Sequence, residues 1–150
     1  MTRPPRLALA AALAAALAAA VAGPALAHHA FAAEFDAKAP VLLRGKVIKV
    51  EWINPHTWIH MLVVTNGRTQ EWMIEGGTPN TLLRSGVTRD TLKPGTDIVV
   101  HGYQSKDKAC TPACKANGRD VAFPNGAKLF IGSSGTGAPR DGADPNEMPH

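Results

Sequence analysis

Two adjacent histidines, His28 and His29, stand where a histidine can gain a second metal-binding nitrogen from the chain itself. They follow residues 1–27, which have the anatomy of a cleavable export signal. Arg3 and Arg6 come first without an acid, then an unbroken apolar run from Leu7 to Ala22, a Gly23-Pro24 break and the small-x-small end Ala25-Leu26-Ala27. The apolar run is shorter than the roughly 18 to 20 residues of a spanning helix and is rich in alanine. Cleavage after Ala27 is therefore expected, with no transmembrane anchor left behind. The lack of an adjacent arginine pair favours the general secretory route. A periplasmic or secreted protein follows from this reading.

Cleavage there would free the α-amine of His28, which can chelate a metal together with its own imidazole. His29 can instead add its ring through the intervening amide. Nitrogen-rich, roughly planar sets of this kind suit Cu(II). The reference pKa values, about 7.7 to 8.0 for the amine and about 6.5 for imidazole, leave little proton competition near neutrality. His56, at the turn after Asn54-Pro55, is the first candidate for a further ligand, ahead of His60 and His101. The plainer reading makes His28 and His29 a solvated spacer and His56 a loop cap.

Cys110 and Cys114, separated by Thr-Pro-Ala, are expected to form a small disulfide loop in an oxidising compartment. Their spacing is not Cys-x-x-Cys and no histidine is close by, which speaks against a redox or zinc motif. Trp52, Trp58 and Trp72 all fall beside the first turn. With Asn54 they suggest a ligand platform; otherwise the tryptophans fill a small core. Glu51 and Glu71 read as cross-strand partners of lysine or arginine, and Glu75 as a helix cap or cation ligand. No Ser-His-Asp, Cys-His or phosphate-loop pattern occurs, and Gly76-Gly77-Thr78-Pro79 lacks the lysine and spacing of the last.

These residues need a scaffold, and the mature chain supplies a β-rich one. Residues 28–40 form a lead-in arm that Pro40 is expected to end. Residues 41–53 read as a strand whose alternation is imperfect: Leu43, Gly45 and Val47 share one parity, Val50 and Trp52 the other, the mark of a β-bulge. A second strand spans 56–65, with Ile59, Met61 and Val63 on one face. Asn66-Gly67 is a hairpin turn, and 68–75 is a third strand. Thr78, Pro79 and Gly86 are the N-cap, first residue and left-handed stop of a short helix. A fourth strand covers 97–104, a polar loop 105–118, and two short strands 119–123 and 127–131. Residues 132–150 are expected to be a disordered Gly/Pro-rich tail. Three strands, a helix, then further strands is the order of an OB-type barrel over residues 41–131. A β-sandwich would leave the lone capped helix unexplained.

The segments His28-His29-Ala30-Phe31, Phe35-Asp36, Glu51-Trp52-Ile53-Asn54-Pro55-His56, Thr78-Pro79-Asn80, Lys128-Leu129-Phe130 and Gly132-Ser133-Ser134 resemble a family of small exported bacterial proteins, domain of unknown function 6152. The resemblance spans about residues 28–137 and is most specific around Trp52 to His56. It implies a secreted or periplasmic location and one compact domain, and it supplies no activity or catalytic residue. The Cys110 to Cys114 stretch departs from the family's pattern.

Composition narrows the partners. Two of the 16 basic residues and none of the 12 acidic ones lie in the leader, so the mature chain carries a net charge of +2. That is too little for binding a phosphate backbone, so nucleic acid is not an expected partner. The sequence points to an exported, non-enzymatic binding module for a small ligand, a metal ion or an envelope protein. A copper-binding protein built on His28, His29 and His56 is the sharper alternative, and a copper-dependent oxidase or oxygenase at the same terminus is a third.

Overall fold

The computed structural model describes residues 31–133. The expected signal, His28, His29 and residues 134–150 lie outside the described residues. Within the described residues, a helical turn at 31–34 is followed by six strands and a helix: β1 (Phe35–Glu51), β2 (Trp58–Thr65), β3 (Arg68–Glu75), α1 (Pro79–Arg84), β4 (Asp97–Ser105), β5 (Cys114–Ala122) and β6 (Lys128–Phe130). The hydrogen-bonded order is β3-β2-β1-β4-β5-β6, and a further pairing of β3 with β5 closes the first five strands into a barrel. That closing pair is parallel and runs from Trp72↔Cys114 to Glu75↔Asn117, while the other pairs are antiparallel. The protein is therefore a small, mostly β, OB-like barrel with one added strand.

Alternation puts Leu43, Val47, Ile59, Met61, Val63, Ile74, Val100, Ala116 and Val121 inside. Leu82 of α1, fully buried, joins the same core, so the helix seals the interior between the third and fourth strands. α1 begins where its residues demand. Thr78 Oγ1 accepts from the Thr81 amide, Pro79 takes a position that needs no N–H, and Gly86 follows at φ +86°. Asn66 and Gly67, both at positive φ, turn β2 into β3. The register of β1 against β2 shifts between Val47 and Lys49, which is the bulge that reverses parity and lets Val50 and Trp52 pack on the core.

Four boundaries differ from the sequence reading. β1 starts at Phe35, so Pro40 lies within the strand and does not end the arm. Pro40 pairs only with β4, at an irregularity between Phe35 and Pro40, and β2 begins its pairing at Gly45. On such an edge the missing N–H breaks no ladder bond. β5 begins at Cys114, within what reads as a polar loop. Its residues Ala116, Asn117 and Gly118 carry little apolar signal, and pairing with both β3 and β4 makes them a strand. Gly132, read as the first tail residue, is buried, and its N–H is donated to Arg119 O. The second strand also starts later than expected. Residues 54–57 form a loop that Thr57 ties to the Gly76-Gly77 turn through two backbone hydrogen bonds.

Candidate functional site

Because Ile59, Met61, Val63 and Ile74 point inward, Trp58, His60, Leu62, Glu71, Met73 and Glu75 share the outer face of β2 and β3. In OB-type barrels this face, between the loops joining strands one to two and four to five, is the binding surface. Here those loops are residues 52–57, which contain His56, and residues 106–113, which contain Cys110. β1 adds Lys49 and Glu51 at one side, and β5 adds Lys115 and Asn117 at the other.

The first group on this face centres on Glu75, which is buried outside the barrel. Asn117 Nδ2 donates to its Oε1 at 3.1 Å, and His56 Nδ1 lies 3.7 Å from the same oxygen. Burial pushes the Glu75 carboxyl above the usual carboxylate range and Glu34 adds to the rise; His56, Asn117 and Lys115 pull the other way. The His56 ring is half-buried, and its Nδ1 is fully enclosed with no hydrogen-bond partner. The row Trp58, Glu75, Asn117 and Tyr103 runs across four neighbouring strands. Gly102 permits the close approach of β4 to β5 there, since a Cβ on it would stand 2.1 Å from Asn117 O.

The chain N-terminal to β1 is strapped along this row. Residues 31–34 are helical, and Phe31 and Phe35, four apart, bury one shared side. Their rings lie 5.7 Å apart, and Phe31 meets Tyr103 edge-on at 5.7 Å. Lys106 N and Ser105 Oγ donate to Glu34 O at 2.9 and 3.2 Å, and Lys106 Nζ donates to Ala32 O.

The second group centres on His60, only 8% exposed although it faces outward. Its Nδ1 lies 3.0 Å from Glu71 Oε1 and its Nε2 lies 3.6 Å from Glu51 Oε1, without a hydrogen bond. Glu51 is bonded instead by Lys49, whose ammonium is the main cause of its lowered pKa. Glu51 and Glu71 thus meet across strands at a histidine, and the expected pairing with lysine or arginine is corrected. The lysine that Glu51 does meet, Lys49, is on β1 with it. Glu51 and Glu71 stand on β1 and β3, either side of β2, and the bulge that reverses parity in β1 turns Glu51 to the outer face where they converge.

The remaining candidates divide. Trp52 and Trp72 pack against the core, and the Arg89 guanidinium covers Trp52 at 5.4 Å, so three tryptophans do not form one platform. Trp58 alone is on the outer face, half-buried, and Asn54 is exposed in the loop. His101 pairs in register with Leu42 and Asp120 and belongs to neither group. Cys110 and Cys114 are bridged, and Cys114 opens β5. Asn117 escaped the sequence reading because it falls in the presumed loop. Among the described residues no three His, Cys, Asp or Glu side chains form a group able to hold a metal ion by themselves.

Fold and face together define a small OB-like barrel whose β2–β3 outer face carries acids and histidines. The chain belongs to the family of unknown function DUF6152, whose model matches residues 15–113. That match ends before β5, so Asn117 and residues 128–134 lie beyond it. No curated protein matches the chain.

Proposed function

We propose that the protein is an exported binding module that takes a metal ion, Cu(II), at the Glu75 end of the outer face. The ligands in this reading are the amine and ring of His28, exposed by cleavage after Ala27, with His29 and His56. One observation carries it. The enclosed Nδ1 of His56 faces the buried Glu75 carboxylate, on the barrel side where the chain just after His28 and His29 is strapped down. With the Glu75 carboxyl standing 3.7 Å behind the enclosed Nδ1, without a hydrogen bond, the opposite nitrogen, Nε2, is the one left to serve as a ligand. Phe31 is three residues from His28, a span of at most about 10 Å. The nearby Glu51, Glu71 and Glu75 also suit a cation better than a polyanion.

The test is Cu(II) titration of protein purified from the periplasm with its native N-terminus. One equivalent should bind, with affinity falling at least tenfold in His56→Ala and more in the His28→Ala, His29→Ala double variant. Equal affinity in all three proteins would refute the site. A native N-terminus at any residue other than His28 would remove its premise.

A further inference from the structure

We infer a second cation site on the same face, formed by His60 Nε2 and Glu51, that takes a borderline divalent ion such as Zn(II). The inference stands on its own observations and does not require the His28 terminus.

An ionised Glu71 can only accept a hydrogen bond, so the 3.0 Å contact places a proton on His60 Nδ1. In the neutral ring Nε2 then carries a lone pair. That lone pair is enclosed, and no group within hydrogen-bond reach donates to it. A side chain nine-tenths buried with an orphaned acceptor is costly unless something else satisfies it. The alternative, an imidazolium clamped between two carboxylates, fits poorly. At 3.6 Å, Nε2 is too far from Glu51 to hydrogen-bond, and Glu51 already has the Lys49 ammonium.

The same 3.6 Å fits two ligands of one metal. With metal–nitrogen and metal–oxygen bonds of about 2.0 to 2.1 Å, an angle near 120° at the ion separates the two atoms by about 3.6 Å. Glu71 behind Nδ1 fixes tautomer and ring orientation, as carboxylates do behind metal-bound histidines. Lys49 supplies a positive charge at Glu51 and would have to swing away; its side chain is 60% exposed and free to do so. With two protein ligands, water or a bound molecule completes the coordination, which leaves positions open for exchange. One imidazole and one carboxylate match Zn(II) better than a hard ion such as Ca(II).

The experiment is Zn(II) titration of the mature wild-type chain and of a His28→Ala, His29→Ala, His56→Ala variant, so that the Cu(II) reading and this one fail separately. Both proteins should bind one equivalent through this site. In the triple variant, adding His60→Gln or Glu51→Gln should weaken binding at least tenfold. Glu71→Gln should weaken it about tenfold through loss of ring orientation, and Lys49→Ala should tighten it. Nitrogen-15 NMR of the metal-free protein should show His60 as the neutral Nδ1–H tautomer, with Nε2 shifting on Zn(II) addition. Thermal melts of each variant report folding, and the NMR test on wild type stands even if one variant fails to fold. An imidazolium His60 at neutral pH, or Zn(II) addition that leaves Nε2 unmoved, would overturn the inference.

Discussion

Glu75 shows how a single residue can be costly to the fold and useful to a site. Its carboxyl is buried between Asn117 and His56, and burial raises its pKa above that of the unfolded chain. The folded state therefore holds the proton more tightly than the unfolded one. The resulting penalty is absent below the unfolded carboxylate range, grows as pH rises through it, and is complete above the raised folded value. Glu75→Gln keeps an acceptor for Asn117 and removes the charge. Its unfolding free energy, measured by urea titration in the presence of a chelator, should improve relative to wild type as pH rises from about 4 toward neutrality. A difference that stays constant across that range would show that the carboxyl's charge costs the fold nothing.

At the scale of elements, the strap of residues 31–34 and the loop 106–113 hold each other. Phe31 fills a satellite cluster with Phe35 and Tyr103, separate from the barrel core. Phe31→Ala should therefore loosen the strap before it loosens the barrel. Its cost should be about 3 kcal/mol, the low end for a buried phenylalanine, because the cavity can collapse by undocking. Hydrogen exchange would check this: the Lys106 amide, donated to Glu34 O, should exchange much faster while the amides of β2 and β3 stay protected. Uniform loss of protection would mean that the strap is an integral part of the barrel. The helix was legible because its cap, proline and stop are local signals. The second half of β5 was legible as a short strand at 119–123, but its first half was not, because its ladder partner β3 is far away in sequence and its own side chains are small or polar.

For the whole molecule, closure rests on the parallel β3–β5 pair, and the disulfide sits at its start, where Cys114 pairs with Trp72. A loop this short removes about 2 kcal/mol of unfolded-chain entropy. The Cys110→Ser, Cys114→Ser double variant should lose about that much in urea unfolding, with the midpoint shifting and the slope nearly unchanged. A variant as stable as wild type would mean that the bridge does not constrain the unfolded chain. The disulfide also closes the far end of the loop whose first residue, Lys106, holds the strap.

The sequence by itself determined the barrel. Period-two alternation, the Asn66-Gly67 hairpin, the parity switch in β1 and the capped α1 are each encoded within a few residues, and together they leave few alternatives. It also marked His56 and Glu75 as residues with chemistry to offer. Only the tertiary structure decided the partnerships: Glu75 with Asn117, His60 between Glu51 and Glu71, and Phe31 on Tyr103. Each joins positions whose proximity depends on strand register, bulge and closure. A contact made by long-range pairing leaves no local trace in the chain that makes it.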